Sequence, residues 1–301
     1  FFLQGDGTDL NLPQCGIRYG LAGPPQKLST GKNRASIQSS TAPKHPNPLL
    51  GAYFIGDDLE YRGAFKKGTF NFEGRGKCMF KDPAEVQEGT FLDGKIIRGR
   101  SELIDRVYEG AFVQGAPEGN GTLWDTHGDC YVGQFARGVR HGEGKYFCMS
   151  EGSLYVGKFF DDQASGQGMV LLKDGGLFSG NFEKGHLNNG IYIKIKDSDK
   201  ILKSFLGEHT SAEHSSHHHN DPVAHKKSVV ELIDKYSHAM TAIQNVASKI
   251  NTTDLDKNYA QADTTVYRGD FGPNLLFHGK GTMTTDKSIY KGDFWGGQPH
   301  G

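Results

Sequence analysis

The sequence predicts an all-β fold, an elongated solenoid of antiparallel β-hairpins with an extended N-terminal arm and one inserted amphipathic helix. Two observations predict this fold. A short motif, aromatic-x-Gly-x-Phe, returns about every 23 residues, and self-similarity at such a period is the signature of repeat architectures. Glycine is also abundant, at 42 of 301 residues, whereas only 36% of the residues are hydrophobic. That balance favours an extended body over one large globular core.

Eight places in the chain carry the motif. Seven copies begin with an aromatic residue, and a weaker copy begins with Gln87. From the weaker copy onwards the starts are 21, 23, 24 and 23 residues apart, and the last two copies are 23 apart. We expect the aromatic, glycine and phenylalanine positions of the seven full copies to form the core of the repeats. These positions are Tyr61, Gly63, Phe65, Tyr108, Gly110, Phe112, Tyr131, Gly133, Phe135, Tyr155, Gly157, Phe159, Phe178, Gly180, Phe182, Tyr267, Gly269, Phe271, Tyr290, Gly292 and Phe294.

A second short motif, x-Gly-x-Gly, follows the better copies. It begins at Glu118, His141, Ser165 and His278. The combination of Tyr-x-Gly-x-Phe with His-Gly-x-Gly resembles the MORN repeat. The resemblance covers 61–196 and 267–301, and it implies a non-enzymatic scaffold of β-hairpins.

The pattern also makes physical sense as a strand. Residues two apart share one face of a strand, so Tyr131, Gly133 and Phe135 project from the same side. Glycine weakens a strand interior, so its recurrence needs a packing reason. We expect the glycine to leave a slot in which the ring of a neighbouring repeat approaches the backbone.

Turn signals close the predicted hairpins. Arg137-Gly138 lies within a repeat, and Asp174-Gly175 lies between two repeats. X-Gly pairs of this kind are hairpin turn signals. A lone two-stranded hairpin is not stable in water, so each repeat must bury its apolar face against its neighbours.

Residues 1–60 are predicted to form an extended, basic, low-complexity arm before the first repeat block, 61–196. No acidic residue lies between Asp9 and Asp57. Such an arm is either a solvated tail or a segment that lies along an acidic partner surface, for which tubulin is a candidate. In the second case the partner-binding residues would be Arg18, Lys27, Lys32, Arg34 and Lys44.

Residues 197–266 interrupt the repeats with a His-rich loop and a helix, predicted over 228–250. The loop carries six histidines within 17 residues, but their spacing matches no zinc finger and no cysteine lies nearby. A low-complexity polar loop is therefore the preferred interpretation over a zinc site. The histidines are His209, His214, His217, His218, His219 and His225.

The predicted helix carries one apolar stripe over three heptads, with Ser228 and Glu231 as a candidate capping box. The stripe either packs on the protein's own solenoid or docks onto another chain. Docking would make its residues other than Ala247 partner-binding. The stripe comprises Val229, Ile233, Tyr236, Met240, Ile243, Ala247 and Ile250. A second repeat block, 267–301, follows, and we expect it to continue beyond the last residue.

No motif in the sequence points to catalysis, a cofactor or a metal. His278-Gly-Lys-Gly-Thr is not a phosphate-binding loop, because Lys280 is followed by glycine. Four scattered cysteines, Cys15, Cys78, Cys130 and Cys148, favour reduced thiols over a disulfide framework. The formal net charge of −1 argues against a nucleic-acid binder. No apolar run approaches the ~20 residues that span a bilayer.

The resemblance implies a role in protein assembly. MORN proteins occur in cytoskeletal structures, so the expected setting is the cytoplasm and cytoskeleton, and in particular the ciliary or flagellar axoneme, where a radial spoke or microtubules would supply the partners. The alternative is a membrane-contact or phosphoinositide-binding adaptor. Junctophilins split their repeats in a similar way, although they begin almost directly with repeats. A third possibility is the regulatory part of an enzyme whose catalytic domain lies outside these residues.

Overall fold

Strands dominate the protein. The structure is a computed structural model that describes residues 53–55, 58–66, 71–206, 222–249 and 264–300. In these ranges the chain forms 17 β-strands, two α-helices and one 3₁₀ helix, so the prediction of an all-β fold of antiparallel hairpins is confirmed. The chain divides into two compact units, and each is described by itself. The first unit contains the described part of Arg18–Thr126 together with Val132–Arg140, and the second contains that of His127–Tyr131 and His141–Gly301.

The first unit is an antiparallel meander in which each strand pairs with the next strand in the chain. Its strands are β1 (Tyr53–Ile55), β2 (Leu59–Phe65), β3 (Phe72–Lys81), β4 (Ala84–Leu92), β5 (Lys95–Leu103), β6 (Arg106–Val113) and β7 (Ala116–Asp125). β8 (Cys130–Ala136) and β9 (Val139–Cys148) contribute residues to both units.

The predicted arm is too long at its C-terminal end. β1 and the start of β2 lie within 1–60, and β1 pairs antiparallel with β2. The run Tyr53-Phe54-Ile55 is aromatic and β-branched, which is typical of a strand. It carries no glycine motif, and the repeat pattern therefore did not include it.

The second unit continues the same arrangement from β9 onwards. Its further strands are β10 (Ser153–Phe160), β11 (Gln163–Leu171), β12 (Leu177–Glu183), β13 (His186–Lys194), β14 (Thr265–Phe271), β15 (Phe277–Thr284), β16 (Ile289–Trp295) and β17 (Gln298–His300). β13 pairs directly with β14, although residues 195–264 separate them in sequence. A 3₁₀ helix, Pro273–Leu275, lies between β14 and β15.

The described part of the insertion holds two helices, where one was predicted. These are α1 (Ser198–Leu206) and α2 (Pro222–Lys249). α2 starts six residues before the predicted helix, at a proline, which is favoured in the first turn because its missing N–H has no partner there. Ser228 therefore lies inside the helix and does not cap it. α1 is short, and its apolar residues span only two turns. The sequence therefore shows no periodic apolar stripe from which this helix could be predicted.

Two-residue turns connect the strands within most hairpins. At both central residues φ is positive, which defines a type I′ turn and explains the X-Gly sequences. Such pairs include Asp93-Gly94, Gln114-Gly115, Arg137-Gly138 and Lys184-Gly185. The turn glycine often also links successive hairpins, because its N–H donates to a carbonyl of the preceding one. The distances are 2.9 Å from Gly138 N to Pro117 O and 2.9 Å from Gly185 N to Ala164 O.

One row of glycines crosses each unit at right angles to the strands. In the ladders, glycine faces glycine on neighbouring strands. In the first unit the row is Gly63, Gly76, Gly89, Gly99, Gly110 and Gly121. In the second unit it is Gly144, Gly157, Gly168, Gly180, Gly190, Gly269, Gly281 and Gly292.

The row excludes side chains for steric reasons. A Cβ added to Gly89 would lie 2.2 Å from Arg98 O and 2.7 Å from Gly99 Cα. At Gly121, a Cβ would lie 2.5 Å from the ring of Tyr108. Both distances are far below van der Waals contact. The strands that contribute to the row therefore need glycine at this level, and the facing glycines align these strands in register.

Replacing Gly121 by alanine should destabilise the first unit by about 2–3 kcal/mol, because the new methyl group overpacks the site beneath Tyr108. The midpoint of urea denaturation, followed by circular dichroism, measures the effect. Gly115→Asn is the matched control, since a Cβ there meets nothing within 4 Å and asparagine tolerates positive φ. Equal midpoints for the two variants would contradict the steric account.

Candidate interaction surface

On one face of the sheet, tyrosine rings cover the glycine row. Cβ atoms added at Gly110 and Gly121 would both meet the ring or hydroxyl of Tyr108, at 2.2 Å and 2.5 Å. Tyr155 covers Gly157 and Gly168 in the same way. The expectation of a neighbouring repeat's ring in the glycine slot is therefore wrong. The ring belongs to the same hairpin, because a tyrosine two residues before the glycine lies flat along its own strand.

Hydrogen bonds hold these rings down. The hydroxyl of Tyr155 donates to the carbonyl of Lys158 at 2.9 Å, and Tyr108 donates to Ala111 O at 2.9 Å. Tyr61 does the same to Ala64 O at 3.0 Å. In these three tyrosines the acceptor is three residues later in the chain, so the ring spans the glycine and ends on the backbone beyond it. Tyr131 donates to His141 O on the next strand, at 3.4 Å. Burying a tyrosine hydroxyl costs little free energy when the hydroxyl keeps a hydrogen-bond partner, as it does here.

The phenylalanines connect one hairpin to the next. In each unit a tyrosine ring meets the phenylalanine of the following copy edge to face, with centroids 4.9–5.3 Å apart. This geometry is favourable for aromatic pairs. The pairs are Tyr61–Phe91, Tyr108–Phe135, Tyr131–Phe159, Tyr155–Phe182 and Tyr267–Phe294. The rings of successive hairpins interlock, as the sequence pattern predicts.

The structure places most of the predicted repeat-core residues inside. The buried ones are Tyr61, Tyr108, Phe112, Tyr131, Phe135, Tyr155, Phe159, Phe178, Phe182, Tyr267, Phe271 and Phe294. Phe65 and Tyr290 are half-buried. Gly133 lies in β8 and is half-buried, and the other six glycines belong to the two rows. The weaker copy has Gln87 where a tyrosine would stand. Its amide donates to Glu85 at 2.9 Å, so a polar contact replaces the ring.

Burial also changes the acidity of the tyrosines. Loss of solvent raises the pKa of Tyr61, Tyr108 and Tyr267 to about 12 from the ordinary value of 10.0. Desolvation likewise raises the pKa of Tyr155 and Tyr192. These phenols therefore stay protonated to a higher pH than exposed tyrosines do.

The opposite face, which we call the outer face, carries the residues between the aromatic and glycine positions. On the first unit it is charged, with ion pairs such as Arg62–Glu60 at 3.6 Å and Lys77–Glu88 at 3.6 Å. Such exposed pairs contribute little to stability. On the second unit it bears two exposed rings beside histidines, Phe160 near His141 and Trp295 near His278. The outer face is thus the side that solvent or a partner meets.

Helix α2 packs against β10 and β12 of the second unit. The ring of Tyr236 lies 5.0 Å from that of Phe147, on the side opposite the tyrosine row. Five residues of the predicted stripe are at most 5% exposed, namely Val229, Ile233, Tyr236, Met240 and Ile243. The stripe is therefore buried within the protein's own unit, and the alternative of docking onto another chain does not apply to these five side chains. Ile250 lies outside the described residues.

An open groove of about 630 Å³ lies in the second unit. Its lining includes Tyr192, Leu275, Leu276, Met283 and Tyr290. Leu275 and Leu276, which belong to the loop between β14 and β15, form part of this lining. The groove was not predicted, since nothing in the sequence marks this loop as the side of a recess.

Several predicted features carry no structural description. Arg18, Lys27, Lys32, Arg34 and Lys44 lie outside the described residues, as do all the clustered histidines except His225, whose side chain is not described. Cys78, Cys130 and Cys148 are not joined by disulfide bonds. Within the described ranges no group of three His, Cys, Asp or Glu side chains is placed to hold a metal ion. The described helices are too short or too polar to cross a membrane.

These features define a β-hairpin repeat protein whose recurring residues serve packing. A family model of the MORN repeat matches residues 108–129, 131–151, 155–177 and 290–301. The chain therefore contains MORN repeats. Alsin of Mus musculus is 26% identical over 191 residues, which cover 60% of this chain and 11% of alsin. Alsin of Homo sapiens is 30% identical over 114 residues, which cover 35% of this chain and 7% of alsin.

The chain spans about a tenth of the length of these relatives. MORN repeats indicate a protein-interaction or membrane-associated role, and an all-β array of this kind is typically non-catalytic. The copies at Tyr61, Phe178 and Tyr267 fall largely outside the family match, yet they have the same glycine ladders as the matched copies. Geometry thus extends the repeat beyond the matched sequence.

Alkaline titration should unfold the protein between pH 10 and 12. Above pH 10 the unfolded chain releases phenol protons that folded Tyr61, Tyr108 and Tyr267 retain up to about pH 12. The contribution of these tyrosines to the free energy of unfolding is therefore fully present below pH 10, and it decreases as the pH rises towards 12. Tyrosinate absorbance and circular dichroism, recorded together, measure the transition. Ionisation of all tyrosines near pH 10 with an intact β signal would contradict the assignment.

Truncating Ile233 to alanine should loosen α2 by about 2–4 kcal/mol, because it removes buried methyl groups and leaves a cavity. Amide hydrogen exchange along α2 measures the loss of protection. Gln244→Ala, on the exposed side of the same helix, is the matched control. Unchanged exchange in the Ile233 variant would mean that the stripe does not anchor the helix.

Proposed function

We propose that the chain is a non-enzymatic structural scaffold that mediates protein–protein assembly in a cytoskeletal complex. The observation that carries this proposal is that the two faces of the sheet differ in how their residues are used. The tyrosines, phenylalanines and glycines that recur most are used to join hairpins to one another. Where α2 does not cover it, the outer face carries charged and exposed apolar residues that a partner can contact.

The setting we propose is the ciliary or flagellar axoneme, as a radial-spoke or microtubule-associated subunit. Support comes from the MORN repeats and from the basic composition of the N-terminal arm. A basic segment favours an acidic polymer such as the microtubule surface, since opposite charge speeds encounter and selects the partner.

A membrane-contact or phosphoinositide-binding adaptor is the second candidate. One observation favours it. Trp295 is 68% exposed and Phe160 is 64% exposed, and both stand on the outer face next to a two-residue turn. Exposed aromatic rings of this kind prefer the boundary between water and lipid headgroups.

Co-sedimentation separates the two candidates. With microtubules and anionic liposomes at matched salt, we expect the chain to pellet with microtubules. Charge reversal at Lys27, Lys32, Arg34 and Lys44 should weaken that binding at least about tenfold, since several counter-charges are lost at once. The β signal in circular dichroism should stay unchanged.

The control reverses four lysines of the repeat region instead, namely Lys145, Lys158, Lys280 and Lys291. It gives the same net charge but leaves the arm intact. Strong binding to liposomes with none to microtubules would favour the adaptor and reject the cytoskeletal scaffold. Equal loss in both quadruple variants would show that net charge, rather than the arm, governs binding.

A further inference from the structure

A small patch on the outer face of the first unit combines uncompensated positive charge with exposed aliphatic groups. It comprises Arg75, Thr90, Leu92, Arg98 and Val113, and we call it the Arg–Leu patch. Arg75 pairs with Thr90 in the β3–β4 ladder, and Thr90 pairs with Arg98 in the β4–β5 ladder. The two arginines therefore flank a threonine on three adjacent strands.

The two arginines differ from two other arginines of this face. Arg62 and Arg100 are ion-paired with Glu60 and Glu102. Arg75 and Arg98 are both exposed, and neither side chain has an ion pair or hydrogen bond with any residue of the described part of the chain. Thr90 between them brings no charge, so their positive charge is open to an external carboxylate.

The carboxylate of the adjoining turn is already engaged. Asp93, at the adjoining turn, accepts from Lys66 Nζ at 2.6 Å. Glu73, two residues before Arg75, also raises the pKa of Lys66, although the Asp93 hydrogen bond is the largest cause. In the ranges that the structure describes, neither carboxylate forms an ion pair or hydrogen bond with Arg75 or Arg98.

The aliphatic part of the patch lies one row closer to the turns. Leu92 is 49% exposed and Val113 is 56% exposed. They stand on β4 and β6, the last strand residues before the turns Asp93-Gly94 and Gln114-Gly115. Single exposed apolar residues are ordinary on a protein surface. Two of them parallel to a row of uncompensated arginines indicate a counterpart with an apolar stripe beside an acidic one.

The spacing fits a helix that lies across the strands. Arg75 and Arg98 are two strands apart, about 10 Å, and so are Leu92 and Val113. An α-helix advances about 10.5 Å in seven residues, so acids at i and i+7 would reach both arginines. The arginine and aliphatic rows lie about 7 Å apart, two residues along a strand, and one helix of 10–12 Å diameter covers both.

We propose that the Arg–Leu patch binds an amphipathic α-helix of another protein, one that carries an acidic stripe next to its apolar stripe. The inference rests on the proposed scaffold function and names the chemical class of one of its partners. The arginines pair with the acidic stripe and set its direction. Leu92 and Val113 receive the apolar stripe.

The test uses the full chain and a fluorescently labelled peptide of about 20 residues, designed as a helix with glutamates seven apart and leucines on the adjacent stripe. Binding is followed by fluorescence anisotropy. The double variant Arg75→Glu, Arg98→Glu should weaken binding about tenfold or more, because two attractive pairs become repulsive. A scrambled peptide of the same composition should bind no better than this variant.

The matched control is Arg268→Glu, Lys291→Glu in the second unit. These two exposed cations also flank a threonine, Thr282, across three strands and change the net charge equally. They stand beside Asp270 and Asp293 on their own strands. Peptide binding by this variant should stay within about twofold of the unmodified chain, since non-local charge is screened by salt.

A second pair of variants tests the apolar stripe. Leu92→Ser with Val113→Ser should weaken peptide binding several-fold, whereas Ile104→Ser should not. Ile104 is 91% exposed in the same unit, but it lies at the opposite strand ends. Since all these positions are exposed, the fold should remain, and circular dichroism checks this.

Three outcomes would overturn the proposal. The first is equal weakening by both charge-reversal pairs, and the second is equal binding of the scrambled peptide. The third is binding of vesicles with anionic lipid, lost with Arg75 and Arg98 reversed, while the peptide fails to bind, which would assign the patch to a membrane. If peptide binding fails but the chain still pellets with microtubules, only the patch assignment is lost and the scaffold function stands.

Discussion

The contact on which the rest of the structure depends is glycine against glycine beneath a tyrosine ring. Facing glycines leave no room for a Cβ, as the distances around Gly89 and Gly99 demonstrate. The ring of Tyr108 fills the space above such a pair, and its hydroxyl closes on the backbone beyond. A ring packed in this way is buried from solvent. It then offers its edge and face to the next hairpin's phenylalanine.

This arrangement decides which face is available for function. Most of the aromatic side is used for contacts between hairpins, apart from the groove beside Tyr192 and Tyr290. On the second unit α2 also covers part of the outer face, through residues such as Tyr236. On the first unit the outer face keeps exposed arginines and aliphatic residues. Interaction therefore depends on residues that do not belong to the repeat motif, which vary freely between copies.

Much of the fold follows from the sequence because the motif records a steric requirement. Only glycine fits at Gly121, and only a ring two residues before Gly110 covers the pair, so the periodicity of these residues predicts both strands and packing. The direction in which the tyrosine ring points could not be predicted from the sequence. The residue spacing is the same whether the ring covers the glycine of its own hairpin or that of a neighbouring hairpin. That choice is made by the hydrogen bond to the backbone three residues later.

The remaining differences have local causes. α1 packs through few residues, of which Leu202 is buried, and too few turns exist for a helical period to be visible. The start of α2 at Pro222 precedes its apolar stripe, so the stripe marks the packed part of the helix and not its end. For the candidate site, the aromatic positions were recognisable, whereas the Arg–Leu patch was not. Its members lie on three hairpins and become neighbours only through the register of the ladders.

The pairing of β13 with β14 has a consequence for how such a chain can change. Gly190 faces Gly269 in the ladder as if they belonged to one hairpin, although a helical segment is spliced between their strands. Alignment thus requires only that each arriving strand brings its own glycine, whatever length of chain precedes it. Whole hairpins can therefore be duplicated, and foreign segments grafted at the seams, without disturbing what is already assembled.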